Sequence, residues 1–361
     1  MPDKLRIAIN TGGGDAPGLN AVIRAVVLSA ERLGWEIFGI KDSYDGLFHE
    51  GGVVPLDAGS VSGITHLGGT ILGTTNRGDP FMWPVKGENG SVTRVDRSQA
   101  VVDALARHGI DALVAIGGDG SLEIAHKLAT MGVRVVGVPK TIDNDLAATT
   151  LTFGFLTAVE TATDAIDKLH STAEAHQRVM VVELMGRNTG WISLYAGIAG
   201  TADVILIPEI PYDMDRVCEK IERRYARGRE FAIVVAAEGA YPVGGEPLFK
   251  QTSAGQRRLG GVARLVADQI HEMTGRETRD LVLGHLQRGG GPTAYDRLLA
   301  LRFGAGAIKL LQEGHYGCMV ALDPPVVHGV PLAEAIAKIK YVPLDSDVVM
   351  TARSLGVCLG D

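Results

Sequence analysis

Cysteine is scarce in this chain: Cys218, Cys318 and Cys358 are the only three among 361 residues. They lie far apart and form no CxxC pair, which argues against a zinc site and against a disulfide framework. No apolar stretch reaches the roughly 18 residues that a membrane-spanning helix needs. Positive charge is not in excess either; 35 Lys and Arg against 42 Asp and Glu leave a net charge of −7. A general nucleic-acid binder usually shows a basic face, so that class is disfavoured. A few local arginines could still meet an anionic substrate. Met1-Pro2-Asp3-Lys4 runs straight into a strand-like segment without the apolar core of a signal peptide. The expectation is a reduced, cytoplasmic setting, with no membrane and no nucleic-acid partner.

What is present is apolar patterning. The chain is 46% hydrophobic and 21% charged, ample for a large core, and its length suggests two domains. Strand-like runs Leu5–Asn10, Trp35–Lys41, Asp111–Gly117, Val133–Pro139, Val179–Leu184, Val204–Ile207 and Phe231–Ala237 alternate with helical ones. The helical runs include Gly18–Leu33, Val95–His108 and Ser121–Met131. Continuous apolar strands between amphipathic helices imply mainly parallel sheets covered on both faces, an α/β architecture. The Gly-rich segment Pro242–Gly261 reads as surface loops.

Ligands of open α/β sheets bind beyond the carboxyl ends of strands, and three segments lie there. Gly12-Gly13-Gly14-Asp15-Ala16-Pro17-Gly18 follows the first strand. Its glycines would let main-chain N–H groups approach an oxygen at a helix N-terminus, although its spacing fits neither the dinucleotide fingerprint nor the Walker loop. Gly117-Gly118-Asp119-Gly120-Ser121 puts a carboxylate beside a possible phosphate site, which makes sense if Mg²⁺ lies between them. Asp119 as a turn former and Ser121 as a helix cap are the plainer alternatives. In Thr141-Ile142-Asp143-Asn144-Asp145, one carboxylate could accept a hydroxyl proton while the other orients the hydroxyl or meets the metal. The three together point to phosphoryl transfer to an alcohol.

The ordered set of motifs then resembles the 6-phosphofructokinases over most of the chain. It comprises Gly13–Gly18, Gly68–Gly73, Gly117–Ser121, Pro139-Lys140-Thr141-Ile142-Asp143-Asn144-Asp145, His176-Gln177-Arg178, Met185-Gly186-Arg187, Glu238 and Arg276–Arg288. The resemblance implies transfer of a phosphoryl group to the 1-hydroxyl of fructose 6-phosphate. It implies two Rossmann-like lobes with the active cleft between them. The donor lobe would span 1–153 plus about 287–337, and the sugar lobe 154–286 plus about 338–361. Asp143 matches the catalytic base, with Thr141, Asp145 and Arg187 in the catalytic set. Met185, Gly186 and Glu238 match residues that hold the sugar, and His285 and Arg288 match ligands of its 6-phosphate. Arg178 and Arg279 match arginines that cross from a neighbouring subunit, implying a homo-oligomer, a tetramer in the usual bacterial form. Gly13, Tyr44, Arg77, Gly118, Gly120 and Ser121 match the nucleotide side, with Tyr44 near the adenine and Asp119 near Mg²⁺. Chemically, a sugar phosphate calls for bidentate arginines and a histidine, and Arg276, Arg279, His285 and Arg288 supply that combination.

Two residues bear on the donor in opposite directions. Pyrophosphate-using relatives typically carry aspartate where this chain has Gly120, and an aspartate there would crowd and repel a nucleotide's α-phosphate. Gly120 favours ATP; Lys140, a lysine common in pyrophosphate users, favours pyrophosphate. ATP is the expected donor and pyrophosphate the alternative. Among the positions matched to the family's effector site, Arg24, Arg227 and Arg229 keep a cation, whereas Leu28, His170 and Phe231 do not, so weak control by nucleoside diphosphate or phosphoenolpyruvate is expected. NAD and lipid kinases share a Gly-Gly-Asp-Gly loop but lack the later motifs. A catalytically dead sugar-phosphate-binding subunit is countered by the presence of Asp119, Asp143 and Arg187.

Overall fold

Every residue of the run Ala112–Gly117 is buried, as a strand covered on both faces must be. The computed structural model of the chain describes residues 4–86, 91–251 and 257–361. It divides into two units, Met1–Thr141 with Leu146–Gly154 and Arg288–Ile339, and Ile142–Asp145 with Phe155–Gln287 and Lys340–Asp361.

The strands β1 (Arg6–Thr11), β2 (Glu36–Ile40), β3 (Val53–Leu56), β4 (Trp83–Lys86), β5 (Val92–Val95), β6 (Ala112–Gly117) and β7 (Val135–Pro139) come first. They are followed by β8 (Val179–Leu184), β9 (Val204–Leu206), β10 (Ala232–Ala237), β11 (Phe249–Gln251), β12 (Arg257–Leu259) and β13 (Thr278–Val282). Last are β14 (Cys318–Asp323) and β15 (Val326–Pro331).

The first unit holds a seven-stranded sheet in the order β15-β14-β7-β6-β1-β2-β3. Its inner strands pair in parallel, and its two edges, β3 on β2 and β15 on β14, are antiparallel. Alternation along β1 feeds two cores. Ile7 and Ile9 join Leu19, Ile23, Leu299 and Phe303 of the helices Leu19–Glu31 and Ala294–Gln312. Ala8 faces the other cluster, with Val101 and Leu122 of the helices Ser98–Arg107 and Asp119–Thr130. In the second unit the order is β13-β8-β10-β9, all parallel. There Val179, Val181, Val234 and Ala236 pack with Val217 and Ile221 and with Val262 and Val266 from two helices.

Two expectations and one plainer alternative need correction. The helix expected from Val95 begins at Ser98, because Val92–Val95 pairs with Trp83–Lys86 as a hairpin. The segment Pro242–Gly261 is not all loop; β11 and β12 pair antiparallel within it, while residues 252–256, like Met1–Asp3, lie outside the described residues. Ser121 does not cap its helix, since Gly118 holds the cap position. Among the described residues no helix is long and apolar enough to cross a membrane.

Candidate active site

In the first unit the loop after β1, the loop after β6 and the end of β7 converge. Gly12 N–H donates to Ile116 O at 2.9 Å, and Lys140 N–H donates to Gly117 O at 2.9 Å. Gly13 adopts φ 78°, a left-handed conformation natural to glycine. A Cβ on Gly13 would lie 3.4 Å from Ser121 Oγ and 3.5 Å from Lys140 Nζ. The Ser121 hydroxyl and the Lys140 ammonium therefore converge on one glycine. Lys140 is buried and its Nζ donates to Gly14 O. Thr74 Oγ1 donates to Gly13 O at 2.6 Å and Gly13 N–H to Thr75 O at 3.1 Å, which fixes the loop from the other side.

Asp119 and Gly120 open the helix Asp119–Thr130, whose positive end suits an anion. Both are exposed. A Cβ at Gly120 would meet no atom within 4 Å. Gly118 is closer-set, its Cβ position 3.3 Å from Lys140 O. Arg77 is exposed, and its N–H donates to Thr75 Oγ1 at 3.1 Å. Thr141 is buried and its carbonyl accepts from Thr152 Oγ1 at 2.8 Å. Arg288 Nη1 donates to Asp15 O at 3.1 Å. Tyr44 is 2% exposed, and its ring packs in the core with Ile40 and Leu47. Burial pushes its hydroxyl above the ordinary tyrosine range.

The second unit assembles the other residues. Asp143, Asn144 and Asp145 are all buried, and Asn144 takes the left-handed conformation at φ 51°. Thr189 Oγ1 lies 3.1 Å from both Asp143 O and Gly186 O, so one hydroxyl joins the aspartate turn to the turn after β8. In that turn Gly186 has φ 148°, and a Cβ there would lie 2.6 Å from Thr189 O. Met185 is half-buried and Arg187 exposed.

Glu238 continues β10 and turns its carboxylate back: Oε1 accepts from Arg187 N–H at 2.9 Å and Gly186 N–H at 3.3 Å. Burial pushes Glu238 up to about 7, and the nearby Asp143 adds to the rise against the two main-chain donors. Neighbouring Glu183 is occupied otherwise, accepting from Gly261 and Ala263 N–H at 2.8 and 3.1 Å at the start of a helix.

The arginine-rich run splits. Arg178 and Arg279 both ion-pair with Glu277, at 2.9 and 2.6 Å, and Arg279 lies on the edge strand β13. Arg276 is taken up by Glu222 at 3.0 Å and lies over the Tyr225 ring, so it does not join the others. His285 is exposed on the 3₁₀ turn Gly284–Arg288.

Two residues with clear geometry were not singled out from sequence. Thr189 had a faint signal, a hydroxyl three residues after the Gly186 turn. Lys340 had none: its Nζ reaches Asn144 Oδ1 at 3.0 Å across 196 positions of chain. Burial pulls the Lys340 ammonium down to about 8, and Asp145 opposes the fall.

Comparison with known proteins gives concordant results. A family model described as Phosphofructokinase matches residues 6–311. The chain is 51% identical over 358 residues to an ATP-dependent 6-phosphofructokinase of Chloroflexus aggregans, covering 99% of this chain and 98% of that one. It is also 51% identical over 343 residues to a pyrophosphate–fructose 6-phosphate 1-phosphotransferase of Amycolatopsis methanolica, covering 94% and 96%. Among solved structures, the Pichia pastoris phosphofructokinase in the T-state aligns with a TM-score of 0.80 at 30% identity, covering 99% of this chain and 37% of that one.

Proposed function

Because this chain belongs to the phosphofructokinase family, we propose that it transfers the terminal phosphoryl group of ATP to the 1-hydroxyl of fructose 6-phosphate, giving fructose 1,6-bisphosphate and ADP. One observation carries the reading: the buried Asp143 is tied through Thr189 to the Gly186 turn, which in turn presents its amides to Glu238. The main chain that carries the Asp143 carboxylate is thereby held near Glu238, whose pKa Asp143 helps to raise, and two such carboxyl groups are the pair needed to accept a proton and to hold a sugar hydroxyl.

In this mechanism Met185, Gly186, Arg187 and Glu238 hold the sugar. Asp143 takes the proton from the 1-hydroxyl as its oxygen attacks phosphorus; the bond from phosphorus to the bridging oxygen breaks and ADP leaves. Asp145 and Thr141 flank the reacting groups. His285 and Arg288 are assigned to the 6-phosphate. Gly13, Gly118, Gly120 and Ser121 supply main-chain and hydroxyl groups to the donor phosphates, with Arg77 at their edge. Most of the rate gain in such chemistry comes from positioning and charge neutralisation.

Among the described residues no group of three or more His, Cys, Asp or Glu stands ready for a metal ion. Asp119 alone, at a helix N-terminus, fits Mg²⁺ arriving with ATP, because that ion keeps phosphate and water oxygens as most of its ligands. The bound ion would neutralise charge on the donor phosphates.

The open space at Gly120 supports ATP. Lys140, whose ammonium lies against the Gly13-Gly14 loop, supports pyrophosphate as a second reading. Assaying the purified chain with fructose 6-phosphate, Mg²⁺ and each donor in turn tests both. Turnover with ATP is expected, and turnover with pyrophosphate alone would reverse the order.

The assembly is assigned as a cytoplasmic homo-oligomer, at least a dimer and a tetramer by family habit, with Arg178 and Arg279 reaching the sugar of a neighbouring subunit. Exposed Leu281 and Val282 on the edge strand β13 support a covered surface there. Full activity of a monomer on dilution would contradict this assignment.

A further inference from the structure

We propose that Lys340 is a positioning residue for the catalytic turn, holding Ile142–Asp145 from two sides so that a segment near the C-terminus sets the aim of the Asp143 carboxylate. This rests on the role of Asp143 given above. Lys340 Nζ donates to Asn144 Oδ1 at 3.0 Å, and Lys340 N–H donates to Asp145 O at 2.8 Å. The two bonds bracket the peptide that joins Asn144 to Asp145. Asn144 sits at φ 51°, a conformation that asparagine tolerates better than most residues but that still needs support from its surroundings. The bond from Lys340 gives that support through the side chain.

Lys340 is itself held in place. Its carbonyl accepts from Trp191 Nε1 at 2.7 Å, and its ammonium lies 5.7 Å from the Trp191 ring centroid. Two residues on, Val342 N–H donates to Glu209 Oε1 at 2.9 Å, and the same oxygen accepts from Gly190 N–H at 3.1 Å. The segment is thus fastened to the turn that follows Thr189, and Thr189 fastens Asp143. Three contacts on the aspartate turn, at Asp143 O, Asn144 Oδ1 and Asp145 O, converge from two distant stretches of chain. Exposed lysines such as Lys168 pair with a carboxylate one helical turn away. Lys340 instead brings its charge out of water, which is costly unless specific groups receive it. A side chain needed only to pack on Trp191 would not require the charge.

The test compares the full-length wild type with Lys340→Met, which keeps the apolar stem, and Lys340→Arg, which keeps the charge. Misaiming a reacting group by about 1 Å can cost roughly 100-fold in rate. For Lys340→Met, kcat is expected to fall about 10- to 100-fold while both KM values stay within about twofold, with partial recovery in Lys340→Arg. Hydrogen exchange of the segment 140–147 should quicken in Lys340→Met and not elsewhere in the chain. Unchanged kcat, or a fall matched by a general loss of folded protein, would overturn the proposal. So would unchanged exchange at 140–147. If the wild type does not phosphorylate fructose 6-phosphate at all, the functional reading fails, and the exchange comparison still decides whether Lys340 holds the turn.

Discussion

Glu238 and Arg187 meet through the main chain: the Glu238 carboxylate accepts the Arg187 N–H at 2.9 Å, so the glutamate faces the turn that carries the arginine. With its carboxyl pushed up to about 7 by burial and by the nearby Asp143, Glu238 changes charge near neutrality. The ionised form is the better acceptor for a sugar hydroxyl. KM for fructose 6-phosphate should therefore rise as pH falls through about 7. Glu238→Gln should raise KM about tenfold or more at pH 8 and flatten this dependence. The stability sign is the opposite. A raised folded pKa gives stability that is complete below the ordinary glutamate value of 4.5 and lost as pH rises through about 7. Thermal melts from pH 5 to 8 should show that loss in wild type and not in Glu238→Gln.

Gly120 has room for a side chain but stands where a carboxylate would face donor phosphates. Gly120→Asp should fold normally, with an unchanged melting temperature. Its kcat/KM for ATP should drop at least about tenfold through like-charge repulsion. Donor kinetics on this variant, and on Lys140→Gly with both donors, check the assignment.

Gly186→Ala would force a side chain into φ 148° and to within 2.6 Å of Thr189 O. Such backbone strain costs about 1–3 kcal/mol. The expected result is a lower melting temperature together with a higher KM for fructose 6-phosphate, read by calorimetry and a saturation assay.

Control by small anionic effectors should be weak. At positions matched to effector cations, His170 instead lies edge-on to Phe231 at 6.0 Å and contacts Gly200 O at 2.7 Å. Arg224 stacks over the same Phe231 ring at 4.6 Å and pairs with Asp203 at 2.9 Å. Titrating ADP or phosphoenolpyruvate into a fructose 6-phosphate saturation assay should move half-saturation less than about twofold, below the roughly 5-fold of typical allosteric coupling.

The strands and the loops beyond them were legible because fully covered strands leave unbroken apolar runs such as Ala112–Gly117, and because glycine and aspartate crowd the turns that follow. The hairpins Trp83–Lys86 with Val92–Val95 and Phe249–Gln251 with Arg257–Leu259 were not, since their strands are only three or four residues long. The burial of Tyr44 was not legible because a tyrosine in sequence does not declare which way its ring turns; here the ring packs into the core. Thr189 and Lys340 act through contacts to Asp143 and Asn144 that only the folded chain brings about. Spacing carries no trace of a bond spanning 196 residues.

The central claim is that Asp143 removes the proton from the sugar hydroxyl, and Asp143→Asn tests it most directly. General-base catalysis contributes about 10²- to 10⁴-fold, so kcat should fall by that range while KM for fructose 6-phosphate and for ATP change little. A variant that keeps wild-type turnover within about threefold would contradict the account, because no group supplying that much rate could then reside at Asp143.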